Sequence, residues 1–344
     1  MIPQIQGRTP HFLIAIALGF SSATEALPRI SSVDGDVQDG GTITISGSGF
    51  SSLNTDHILY DHVSNQEEYD NLSSGSVVPL DSGPWSQGTN KWGNPVTILR
   101  SGDLRTNNGS AVYYGEVKAD LGWPRKLDGL SNRKIYASWW FKPNQKADNG
   151  GSNKFARIWD RSDGTGMRVS WTQMHMTYGP SGSSQTSWGT TQPNANEWNR
   201  LEINVDKDKN RITAWLNGQV AQNVGDLTEG NSSEGLSLAQ IGFDPSDSNL
   251  YKGYSFRMTD IYVAPTPARV ELSDSATWSP TSQREVLTPI SWSDGKVSVK
   301  LNYLSLDPSE SLYVYVFDGD GNVTQSGFPL CEKCPSKPQE VSIE

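Results

Sequence analysis

The chain has 344 residues and a formal net charge of −10, from 28 Lys and Arg against 38 Asp and Glu. Hydrophobic residues make up 35% and charged residues 19%, with 33 glycines; that is enough to bury a core, and it argues against coiled coils and helical bundles. Lys and Arg are scattered over an acidic background, which leaves no electrostatic footprint for DNA or RNA.

In chain order, the first feature is the apolar run Phe12 to Phe20, too short for the roughly 20 residues of a bilayer-spanning helix. Arg8 precedes it, and the small residues Ser21 to Ala26 follow. This is the layout of a secretory signal peptide over residues 1–26, with cleavage after Ala26 or Ala23; a buried N-terminal strand is the alternative. No later segment could anchor the mature chain. The expectation is a secreted or cell-surface protein with no membrane span.

Next, Thr42-Ile43-Thr44-Ile45-Ser46 alternates with period two behind the turn residues Gly40 and Gly41, which predicts a strand. The stretch to Phe50 resembles the opening of a TIG-type (IPT) immunoglobulin-like domain, over about twenty residues. The rest of such a domain does not follow at Ser51. Ile290 to Leu301 and Ser311 to Val323 look like its later strands. The expectation is one small sandwich, residues 27–52 and 268–330, split by an insertion at an exposed loop. Two separate β modules are the rival.

The insertion, residues 53–267, carries strand patterns at Ile135 to Phe141, Lys154 to Trp159, Met167 to Tyr178, Asn199 to Val205, Arg211 to Leu216 and Tyr254 to Val263. Strands so spaced, with turns such as Asn217-Gly218 and no helical stretches, predict an all-β sandwich or jelly roll. The hairpin Glu197 to Gly218 and the closing Asp260 to Val263 resemble concanavalin A-like lectin/glucanase domains. Ten of the 12 tryptophans lie between Trp85 and Trp215. Their flat faces suit both core packing and stacking on sugar rings. Adjacent Trp139 and Trp140 must point to opposite faces of their strand.

Read as one strand, Arg168 to Tyr178 puts Trp171, Gln173 and His175 on one face and Arg168, Met174 and Met176 on the other. Gln-x-His on a central strand resembles the Gln-Ile-His motif of alginate lyase-type polysaccharide lyases, and Tyr251-Lys252-Gly253-Tyr254 loosely resembles their later tyrosine stretch. Their Arg-x-Glu-x-Arg strand has no counterpart here; Lys154 to Arg157 is the nearest basic strand. The resemblance implies β-elimination on a uronic-acid polymer. Its catalytic residues would be His175, Gln173, Tyr251, Tyr254 and Arg157, with Arg168, Trp171, Tyr178 and Trp140 binding substrate on a concave face.

Laminarinase-type relatives of such a fold carry Glu-x-Asp-x-x-Glu or Glu-x-Asp-x-Glu on one strand to supply the paired carboxylates of glycoside hydrolysis; no such run occurs here, so hydrolysis of that type is disfavoured. Asp318 to Asn322 imitates a calcium loop, but Pro329 stands where a bidentate Glu is needed, so it reads as a hairpin turn. No cofactor is called for; a structural calcium is compatible with a lectin-like sandwich, with no ligand set to name. In the polar tail, residues 331–344, Cys331 and Cys334 suit a local disulfide better than a redox or zinc site. Three functions stay open: a polysaccharide-binding module, a polysaccharide lyase, or a structural or adhesive surface or virion protein.

Overall fold

The computed structural model describes residues 27–88, 93–106, 111–160, 166–180, 183–228 and 234–331. The signal-peptide stretch and Cys334 lie outside the described residues. The chain opens with β1 (Arg29–Gly35) and β2 (Thr42–Ser48). A long middle follows with β3 (Leu59–Asp61), β4 (Trp85–Gly88), β5 (Thr97–Leu99), β6 (Val112–Glu116), β7 (Ala119–Pro124), β8 (Lys134–Pro143), β9 (Lys154–Asp160) and β10 (Met167–Thr172). It continues through β11 (His175–Pro180), β12 (Gln185–Trp188), β13 (Asn199–Asp206), β14 (Arg211–Leu216), β15 (Gln219–Val224), β16 (Leu236–Asp244) and β17 (Ser255–Ala264). The described chain closes with β18 (Arg269–Ser273), β19 (Arg284–Ser293), β20 (Lys296–Lys300), β21 (Leu312–Phe317) and β22 (Phe328–Cys331). The protein is all-β, with sandwich-like antiparallel sheets. Among the described residues no helix is long and apolar enough to cross a membrane.

The first sheet runs β1-β2-β20-β19-β18-β21-β22 and joins both ends of the chain. Ile43 lies opposite Val299 and Ile45 opposite Val297; all four are fully buried, with Phe50, Leu287 and Val314 in the same core. Strand β19 links the two halves of this sheet. Its first half pairs with β18 and its second with β20, across a register shift between Pro289 and Ser291. A strand that bends at a bulge can serve two layers in this way.

The second sheet runs β12-β11-β10-β9-β16-β7-β4 and the third β15-β14-β13-β8-β17-β6-β5. They share one core, built from the inward half of each alternating strand: Ile135, Ala137, Trp139 and Phe141 of β8, Leu201, Ile203 and Val205 of β13, and Val169 and Trp171 of β10. Trp139 meets Trp171 edge to face across the layers, with ring centroids 6.0 Å apart.

The outward residues of the third sheet face the first sheet through buried charges. Arg200 donates to Glu271 at 2.8 Å. Arg284 binds both Glu271 at 2.8 Å and Glu202 at 2.5 Å. Tyr136 donates to Glu202 at 2.6 Å. Arg105 clasps Glu285 through two hydrogen bonds of 2.7 and 2.9 Å. The surrounding guanidinium groups hold the Glu271 carboxyl far below its ordinary range, against the cost of burial.

One sequence expectation needs correction here. Arg168 to Tyr178 is not a single strand but the hairpin β10-β11, turning at Gln173 and Met174. The Thr172 hydroxyl closes the turn: it accepts from the backbone N–H of Met174 at 3.3 Å and of His175 at 3.0 Å, and donates to the His175 carbonyl at 2.7 Å. A side chain that bonds its own downstream backbone competes with strand continuation. The turn resets the alternation, so Met174 is exposed and Met176 is in the core.

Candidate functional site

Three of the nine residues singled out from sequence, Arg157, Arg168 and His175, meet on the outer face of the second sheet. The others do not. Gln173 is buried: its amide oxygen accepts from the Asn153 N–H at 2.8 Å and its amide nitrogen donates to the Gly151 carbonyl at 2.6 Å. It pins a loop and has no freedom to hold a substrate. Tyr251 and Tyr254 are core residues, with Tyr254 stacked on Phe243 at 3.9 Å and Tyr251 edge-on to the same ring. Trp171 points inward and donates to Thr191 at 2.9 Å. Tyr178 also faces the core, its hydroxyl donating to Asp226 at 2.8 Å. Trp140 lies on the third sheet, where the Arg105 guanidinium covers its ring at 4.5 Å. The general cause is the reset of alternation after Thr172, plus an apolar surround that draws both tyrosines inward.

The outer face of the second sheet is ordered by strand register. Gln240, Arg157, Ser170, Thr177 and Thr186 stand opposite one another across β16, β9, β10, β11 and β12. The next row is Ser237, Trp159, Arg168 and Gly179. Arg168 sits over the Trp159 ring at 4.5 Å and Arg157 at 5.7 Å. At one end the carboxylate of Asp244 binds Arg157 and, at 3.1 Å, Lys118. At the other, His175 packs against Trp188, ring centroids 5.2 Å apart, with its Nδ1 3.1 Å from the Thr172 hydroxyl.

Gln240 reaches this face because β16 bulges. Leu238 is opposite Ile158 and Gln240 opposite Arg157, so Ala239 is the extra residue. A bulge re-aims the side chain that follows it. Strand β7 then comes so close to β16 that a Cβ at Gly242 would lie 2.4 Å from the Ala119 carbonyl oxygen. Only glycine fits there, and its bare backbone stands opposite Asp120.

The polar groups on this floor are incompletely satisfied. Both amide atoms of Gln240 are buried without a hydrogen-bond partner, as are Oδ2 of Asp120 and Oγ of Ser237. Burial, then the neighbouring Asp244, pushes the Asp120 carboxyl up to about 7, against the pull of Arg157 and Lys118. Burial also lowers the ionisation of His175, helped by Lys154, and lowers that of Lys154 itself. The imidazole is therefore neutral at neutral pH. Among the described residues, four basic side chains, Arg157, Arg168, Lys118 and Lys154, share this face with the Asp244 carboxylate and the half-protonated Asp120.

Sequence reasoning missed Asp120, Gln240, Ser237 and Asp244. Their signal was single polar residues inside otherwise apolar strands, Ala119 to Leu121 and Leu236 to Asp244. No group of three or more His, Cys, Asp or Glu able to hold a metal occurs among the described residues. The Asp318 carboxylate faces hydrogen-bond donors, accepting from the backbone N–H of Asp320 and Asn322 at 2.9 Å and from the Asn322 amide at 2.8 Å, as a hairpin turn does.

No family model matches the chain, and no curated protein matches it. Among solved structures it is similar to domain 4 of AbnA, a GH43 extracellular arabinanase from Geobacillus stearothermophilus in complex with arabinotriose: 14% identity, 51% of this chain and 86% of that one, TM-score 0.33. A sialidase matches at 13% identity over 65% of this chain and 21% of its own, TM-score 0.36. The botulinum neurotoxin serotype C1 binding domain matches at 9% identity over 69% and 72%, TM-score 0.33. Likenesses this distant carry no argument about what the chain does.

Proposed function

We propose that the protein is an exported polysaccharide-binding protein that takes an acidic, uronic-acid-containing polymer on the outer face of its second sheet. On this reading residues 53–267 form a concanavalin A-like jelly roll set into a TIG-like sandwich of residues 27–52 and 268–330, and Cys331 pairs with Cys334. The observation that carries the functional proposal is Gln240, fully buried with both amide atoms unpartnered, opposite Arg157. An unmade buried hydrogen bond costs about 1–3 kcal/mol. A sugar hydroxyl and carboxylate are the groups that would recover it between an amide and a guanidinium. The excess of cations on this face of an acidic chain favours a polyanion. Trp188, 72% exposed beside a neutral imidazole, offers a flat platform for a pyranose ring.

Binding is favoured over elimination because Gln173, Tyr251 and Tyr254 are held inside the protein. The test is calorimetric titration with alginate, polygalacturonate and a neutral glucan, for the native protein and Gln240→Met. Expected are affinity for the uronates alone and a loss of about tenfold in Gln240→Met, with unchanged or higher thermal stability. Equal affinity in the variant refutes the proposal. Release of product absorbing at about 235 nm would instead establish lyase chemistry, and its loss in His175→Ala would assign His175 as the base.

A further inference from the structure

A second opening lies on the far side of the core, between the outer face of the third sheet and the first sheet. Its volume is about 480 Å³, within the range of small-ligand sites. One wall is a register row: Tyr136, Asn204, Thr213 and Asn223 stand opposite one another across β8, β13, β14 and β15, with Trp215 and Val220 paired beside them. The facing wall is Trp278, Phe317 and Pro280. Trp278 is fixed by edge-to-face contacts to Tyr315 and Phe317, at 5.3 and 4.9 Å, and by Arg284 at 5.1 Å.

Three groups in this cleft are left with recognition capacity. Oδ1 of Asn204 is buried and accepts no hydrogen bond. Arg211 is exposed and tethered through Nε to Asn223 at 3.2 Å, which orients its terminal N–H groups without engaging them. Among the described residues the half-buried Trp215 ring makes no aromatic or cation–π contact, while Val220 beside it is 59% exposed. The carboxylates of the lining are already neutralised. Glu202 is held by Arg284, Asp206 lies 3.9 Å from Lys134, and Asp320 binds Lys134 and, at 3.4 Å, Lys209.

We infer that this cleft is a second saccharide site, which takes one acidic sugar ring. The ring's apolar face lies on Trp215, a hydroxyl donates to Asn204 Oδ1, and its carboxylate sits in the Arg211 fork. Each contact matches a group the protein leaves open: an acceptor, a planar pair of donors and a flat apolar surface. The inference is independent of the sheet-face proposal, since no residue is shared and the core separates the two.

The test is the stoichiometry of a uronic-acid disaccharide measured by calorimetry on the intact protein, Trp215→Leu, Arg211→Gln and Gln240→Met. Two equivalents should bind the native protein, and one should remain in Trp215→Leu and in Arg211→Gln. Arg211 is exposed on its strand, so Arg211→Gln keeps the test decisive if Trp215→Leu folds poorly. One equivalent that Gln240→Met abolishes and both cleft variants retain overturns the cleft site. One equivalent that the cleft variants abolish and Gln240→Met retains upholds the cleft and removes the sheet-face reading. No binding at all overturns the cleft site.

Discussion

Replacing Asp120 by Asn should make the protein more stable, and increasingly so as pH rises. The Asp120 carboxyl ionises at its ordinary value of 3.8 in the unfolded chain and at about 7 in the folded one. Between those values the folded state holds a proton that the unfolded state releases, so stability falls as pH climbs through that window and levels off above it. At about 1.4 kcal/mol for each tenfold change in proton affinity, the full penalty is about 4 kcal/mol. Asn fills the same space without a charge. The gap in unfolding free energy between Asp120→Asn and the native chain should therefore open from near zero at pH 4 to about 2–4 kcal/mol at pH 8. Urea unfolding followed by tryptophan fluorescence at several pH values reads this directly, and taking the difference cancels every other titrating group. Parallel curves, with a gap that does not vary between pH 4 and 8, would refute the burial argument for Asp120. The same ionisation adds a negative charge beside Arg157 and Lys118. Affinity for an acidic polymer should accordingly fall from pH 6 to pH 8 in the native chain and stay level in the variant.

The His175 imidazole should titrate below its ordinary 6.5 and move upward in Lys154→Met, as followed by proton NMR; a midpoint at or above 6.5 in the native chain contradicts the burial assigned to it. Because its folded value is lowered, protonating it destabilises the fold as pH drops below 6.5. Trp188→Ala should weaken polymer binding on the order of tenfold with little change in melting temperature, since the ring is mostly exposed; unchanged affinity removes it from the platform. Glu271→Gln leaves Arg200, Arg284 and Arg269, which donates to Glu271 at 2.6 Å, crowded around a neutral amide. It should cost about 3–5 kcal/mol and melt the protein several degrees lower, and an unshifted melting curve contradicts the role given to these ion pairs.

How much of this could be read from the sequence depends on whether a side chain alternates undisturbed. Ile43 and Ile45, or Leu201, Ile203 and Val205, advertise their inward face by period two, and all are fully buried. The adjacent pair Trp139 and Trp140 divides as strand geometry requires, one in the core and one outside it. Where one residue interrupts the period, the pattern misleads. Thr172 ends a strand with its own hydroxyl, without the Gly, Asn or Pro that usually marks a turn. That reversed the faces assigned to Arg168 and Trp171 and buried Gln173. The bulge at Ala239 did the opposite for Gln240: strict alternation from Leu238 would have placed it in the core, and no residue type announced otherwise.

These interruptions fall where the second sheet acquires polar character, and the outer faces of the second and third sheets differ in kind. Arg200 and Glu202 of the third sheet are committed to Glu271 and Arg284 of the first, which holds two parts of the chain together. On the second sheet the turn at Thr172 brings His175 onto the same face as Arg168, and the bulge brings Gln240 opposite Arg157. Leaving Gln240 and Asp120 Oδ2 without partners costs free energy that a purely structural sheet could avoid by carrying apolar residues instead. A surface that keeps buried donors and acceptors open beside basic side chains is what the proposed binding of an acidic polymer calls for. The same reasoning applies on a smaller scale to Asn204 and Arg211 across the core.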